Sequence, residues 1–133
     1  MSTLKAANLQ NTSSGPPTVK NSSGTEIGQF CKAWISFNGK NTPSIHQSFN
    51  VTSITDVNTG RFNINLTNAV SSNSCVVTGV AKEGNADNGD QKICVGSFDG
   101  NRLPTTTMFP LTTVSGTATL QDVGYTTAAV FSD

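Results

Sequence analysis

One histidine, three cysteines and eight acidic residues are the groups in this 133-residue chain with the chemistry to do more than pack. The acids are Glu26, Glu83, Asp56, Asp87, Asp90, Asp99, Asp122 and Asp133. Cleavage of a glycosidic bond needs two carboxylates at a defined separation. Nothing in the spacing forces any two of these together. Asp56 and Asp99-Gly100 read as turn residues, where the carboxylate bonds nearby backbone. His46 would serve a catalytic triad only beside a nucleophile and an orienting acid. It reads instead as a half-exposed strand position, with a metal shared among symmetry-related copies as the lesser reading. The richest oxygen cluster is Asn85, Asp87, Asn88 and Asp90. It departs from the EF-hand spacing, so a solvated turn is preferred to a calcium loop.

The cysteines, Cys31, Cys75 and Cys94, are odd in number and lack a C-x-x-C pair, which argues against zinc. Each lies in an apolar run and reads as a reduced, buried, small hydrophobe made in a reducing compartment. The expectation is a protein that is not an enzyme, with no cofactor. Eight basic residues balance eight acidic ones. A nucleic-acid binder needs a cationic surplus to displace counterions, and a polybasic membrane binder needs the same. Neither partner is expected. No apolar run approaches bilayer length, and the opening MSTLKAANLQ lacks the apolar core of a secretory signal.

The elements that must position these groups are strands. Thr, Ser, Asn and Gly account for 60 of the 133 residues. Thr, Val, Ile and Phe suit pleated surfaces, and Ser, Asn and Gly suit turns. Apolar residues make up 35% of the chain, a lean supply that contacts with other copies would supplement. Residues 1–29 are read as an extended attachment arm and linker. Pro16-Pro17 lies in a stretch with almost nothing to bury, and Leu4, Ala6 and Leu9 are available for docking. Residues 30–133 are read as a β domain.

In FCKAWISF, Cys31, Ala33, Ile35 and Phe37 share one face, and Asn38-Gly39 ends the run. IHQSFNVT alternates throughout and reads as one strand. A hairpin follows through DVNTG, with Phe62, Ile64 and Leu66 on one face of the return. Further strands are read at 74–81, 92–98 and 126–131. Pro104 and Pro110 make 99–116 a surface excursion, with an edge strand at most around Met108–Val114. Trp34 reads as a core or subunit-interface residue in preference to a sugar platform shared with Tyr125 or Phe109. The fold class is all-β, an antiparallel β-sandwich or jelly-roll-like domain with an extended N-terminal arm.

Three segments carry a resemblance: KAWISFNG, SFNVTSITDVNTGRFNINLTNAV and the closing YTTAAVFSD. With the opening MSTLKAANLQNTSSG, they are similar to tail-fibre-like virion structural proteins of marine and cyanobacterial bacteriophages. The likeness covers residues 1–15, about 30–70 and the last ten. It departs at Arg61-Phe62, where the family usually has Asp-Tyr, and at His46, where a basic residue is common. Residues 71–125 do not follow the pattern.

The resemblance implies a non-catalytic, homotrimeric virion component, assembled in the host cytoplasm, and does not itself assign it to tail or head; the tail is preferred because cyclic symmetry suits a tail appendage. Its expected partners are its own copies, other virion proteins through the arm, and a host surface glycan. Loops on a rigid scaffold usually carry recognition. Asn85, Asp87, Asn88, Asp90, Asn101 and Arg102 are therefore the candidate contacts. The alternatives are a capsid decoration protein and a free carbohydrate-binding module.

Overall fold

In the computed structural model, the described residues are 10, 19–82, 91–96, 102–115 and 118–132, with backbone alone over 91–96. They form strands and turns, with no helix among them. The chain divides into two units, Met1–Phe30 and Cys31–Asp133.

The first unit contains a small antiparallel pair, β1 (Val19–Lys20) and β2 (Glu26–Gly28). Its turn is organised by one side chain. Asn21 Oδ1 accepts from Ser23 N (3.0 Å), Ser23 Oγ (2.7 Å) and Thr25 N (2.9 Å). Gly24, at φ +83°, completes the bend. This hairpin lies inside the stretch read from sequence as linker. An Asx turn supplies locally the hydrogen bonds that a segment without a core would otherwise lack.

The second unit holds β3 (Ala33–Asn38), β4 (Ser44–Phe49), β5 (Val51–Asn58), β6 (Arg61–Leu66), β7 (Cys75–Lys82), β8 (Gln91–Gly96), β9 (Met108–Val114) and β10 (Tyr125–Ser132). They pair in the order β4-β3-β10-β7-β8-β9-β6-β5, antiparallel at every step. The sheet's two halves share one core. Ala33, Ile35 and Phe37 of β3 with Ala128 and Val130 of β10 join Phe62 and Ile64 of β6 and Phe109 and Leu111 of β9. Phe37 meets Phe62 edge to face, with ring centroids 5.2 Å apart, a favoured aromatic geometry. The arrangement is all-β and consistent with a β-sandwich.

The alternations read over 30–37 and 61–66 hold: Ala33, Ile35, Phe37, Phe62 and Ile64 are all buried. The run 45–52 is not one strand. It breaks at Asn50, which takes φ 56°, and the pieces β4 and β5 lie at opposite ends of the strand order. A bulge between Ser36 and Phe37 shifts the register against β4 as well. Asn tolerates the left-handed region better than other residues with a Cβ. Its amide also secures the corner: Nδ2 donates to Lys32 O (3.0 Å) and Asn68 O (3.1 Å), and Oδ1 accepts from Asn68 N (2.8 Å).

Two other readings are corrected. Asp56 lies in β5 opposite Phe62, not in the turn, which is closed by Thr59-Gly60 between Asn58 and Arg61. β9 is not an edge strand but lies inside the sheet, between β8 and β6. Pro110 stands opposite Asn63 of β6.

Candidate functional site

Strand alternation sorts the side chains of β3, β10 and β7 into two sets. Thr126, Ala128 and Val130 are buried with Ala33, Ile35 and Phe37, so Trp34, Ser36, Tyr125, Thr127, Ala129 and Phe131 point the other way. Register extends this outer face to the neighbouring strands. Phe49 of β4 stands opposite Trp34. On β7, Val76 stands opposite Phe131, Thr78 opposite Ala129, Val80 opposite Thr127 and Lys82 opposite Tyr125.

Five large apolar residues of this face are open to water: Val76 (66%), Val80 (66%), Phe49 (53%), Tyr125 and Trp34 (39%). Scattered exposed apolar residues are ordinary. Here five share one face of four adjacent strands, a concentration of the kind found at interaction surfaces. Trp34 is the chain's only tryptophan. His46, at the bulged end of β4, stacks on Tyr125 with ring centroids 5.6 Å apart and planes 21° from parallel. Phe109, considered beside Trp34 from sequence, is buried in the core instead.

The outer side of β5 and β6 has a different chemistry. Asn65 Nδ2 donates to Ser53 Oγ and Thr55 Oγ1, both at 3.0 Å. Thr52 and Thr67 hydroxyls bond at 3.0 Å. Arg102, half-buried, donates through one amino nitrogen to Phe62 O (2.8 Å) and Asn63 Oδ1 (2.9 Å). Of the sequence-nominated recognition residues, Arg102 alone is described, and this amino group is engaged with β6. Asn85, Asp87, Asn88, Asp90 and Asn101 lie outside the described residues, as do Leu4, Ala6 and Leu9 of the arm.

Asp122 has a structural partner that its sequence context did not suggest. Its Oδ1 accepts from Gly60 N at 2.6 Å, tying the β5–β6 turn to the segment before β10. Thr113 N donates to Gly60 O (2.8 Å), and Gln121 N donates to Thr113 O (3.0 Å), so three segments converge there. Cys31 and Cys75 are free thiols. Burial pushes the Cys75 thiol above its ordinary pKa, which makes it a weaker nucleophile at neutral pH. Among the described residues, no three His, Cys, Asp or Glu side chains cluster to hold a metal ion. No described helix is long and apolar enough to cross a membrane.

The face was partly legible in the sequence. In CVVTGVAK, valines occupy both parities of the strand, so one set had to point away from the core. Which set lies inside depends on Ala81, which is buried, and therefore on the pairing with β10. Compared with protein-family models, curated proteins and solved structures, the chain matches none.

Proposed function

We propose that this protein is a non-catalytic structural subunit of a bacteriophage particle, a tail-fibre or tail-tip component that contributes to host attachment. The observation that carries the reading is the open apolar face around Trp34, Phe49, Val76 and Val80 on a small all-β unit. Such a surface suits a subunit of an assembly better than a protein that works alone. The virion assignment draws on the likeness of KAWISFNG and SFNVTSITDVNTG to phage tail-fibre-like proteins.

On this reading the Cys31–Asp133 unit is a β-sandwich in a homotrimer, and residues 1–29 are the attachment arm. Cyclic assembly matches the symmetry of a tail appendage, and repeated copies turn weak glycan contacts into avidity.

The test is to label intact phage particles with an antibody raised against residues 30–133 and view them by electron microscopy. Label on the tail or its fibres supports the proposal. Label spread over the head makes the protein a capsid decoration subunit. Absence of label from every particle overturns the virion assignment and leaves the free carbohydrate-binding module as the remaining reading. Deleting residues 1–29 should release the protein from particles, and retention would sink the arm's role.

A further inference from the structure

We infer that the outer face of β4, β3, β10 and β7, centred on Trp34, Phe49, Val76 and Val80, is the surface through which copies of this chain bind one another. The inference rests on the oligomeric part of the proposed function and is independent of where on a particle the protein sits.

The area of the face suits a second copy. Four strands about 4.8 Å apart and about 3.3 Å per residue give a face about 19 Å wide and, over the eight residues of β7 and β10, about 26 Å long. Its flat outline is about 500 Å², and projecting side chains raise the accessible area further. That is of the same order as the roughly 800 Å² that each partner contributes to a stable interface.

Its charge suits one too. Among the described outward residues of these four strands, Lys82 is the one Lys, Arg, Asp or Glu, and it stands at one end of the face, opposite Tyr125. A centre depleted of charge with a solvated rim is the anatomy of a protein interface. Its described residues offer no carboxylates for a basic partner and no cationic field for an acidic one. This chain, with formal net charge zero, fits as the neutral partner and is present wherever the face is.

Residue type separates a protein partner from a sugar. Trp34 and Tyr125 would stack on a sugar ring, but the most open positions are Val76 and Val80. Aliphatic branches offer a sugar no stacking plane, whereas they interdigitate well with another sheet.

The test uses the full chain, and Trp34 supplies its own reporter. Mass should be measured by sedimentation or light scattering across a concentration series, with tryptophan emission recorded on the same samples. The expected result is a multiple of 13.9 kDa, with emission shifting to the red as dilution separates the copies. Val76→Lys combined with Val80→Lys should weaken association at least about a hundredfold, since an interface centre does not tolerate buried unpaired charge. Both positions are widely exposed, so the far-ultraviolet circular dichroism of the single chain should not change. Val57→Lys, at an exposed valine on β5, should assemble as the unaltered chain does.

Assembly of the double variant at unaltered strength overturns the face while leaving the oligomeric reading standing. A single-chain mass at every concentration overturns both. If emission is then already blue and constant, another segment of the same chain covers the face. None of these outcomes bears on the particle-labelling result, so the two proposals fail separately.

Discussion

On the outer side of β5 and β6, cross-strand neighbours are amides and hydroxyls that satisfy one another, as Asn65 does with Ser53 and Thr55. On the outer side of β3, β4, β7 and β10, the corresponding neighbours are Trp34 with Phe49 and Val76 with Phe131. Both sides cover the same core and both are built from antiparallel strands. They differ in what still has to be done at the surface. The polar side has bonds among its own side chains and is finished in water. The apolar side leaves hydrophobic area exposed, and only a further surface can remove it from solvent.

A few tie points hold the two sides back to back, and breaking these gives the largest expected effects. Gly60 has φ +66°, and a Cβ there would stand 2.5 Å from Thr113 O and 2.6 Å from Gln121 N. Both are backbone atoms with little freedom to move. Gly60→Ala should therefore cost about 3 kcal/mol or more in chemical denaturation, through backbone strain and displacement of the Asp122 bond.

Asn50→Ala strikes the corner where the chain leaves the apolar side for the polar one. It forces alanine into a left-handed conformation and leaves Lys32 O and Asn68 N without the amide. A loss of about 2 kcal/mol is expected in the same assay. Retention of full stability would mean that strand pairing alone makes the corner.

Changes on the faces sharpen the contrast. Asn65→Val gives the polar side an apolar residue and removes two hydroxyl-directed bonds, at a cost of about 1 kcal/mol or less because the site meets water. Val80→Thr performs the opposite exchange and should alter single-chain stability by no more than about 0.5 kcal/mol. A large loss there, measured at concentrations where the chain is monomeric, would mean that Val80 already has a partner within the chain.

The smallest expected effect is a pH dependence from Cys75. Its folded pKa is raised by burial, so the folded state holds the proton more tightly than the unfolded chain. The stability this contributes is complete below the thiol's ordinary pKa and is lost as pH climbs through the raised value. Urea melts across the alkaline range should show the decline in the unaltered chain and lack it in Cys75→Ala.

Several of these elements were legible in the residues themselves. A period of two in KAWISF and RFNINL identified the buried faces of β3 and β6, because alternation is a local property of extended backbone. The Asn- and Gly-containing turn between β5 and β6 was readable as well, though Asp56 and Val57, read into it, belong to β5. The corner at Asn50 was not, since IHQSFNVT alternates without interruption and only the loss of pairing on one side, together with the amide bonds to Lys32 and Asn68, shows the break. Pro110 misled because a proline normally excludes a strand from the sheet interior. Here it stands inside, opposite Asn63 of β6, in a strand flanked on both sides.

Composition and local periodicity thus determined that the chain is all-β, that its strands are short and antiparallel, and which side chains of β3 and β6 face inward. These follow from the stereochemistry of a few consecutive residues. Strand order, the passage of the chain from β4 at one end of the sheet to β5 at the other, and the gathering of Trp34, Phe49, Val76, Val80 and Tyr125 on one surface were decided by the tertiary structure. Those five residues come from four strands spread over 92 positions of sequence, and only long-range pairing in register brings them onto a common face.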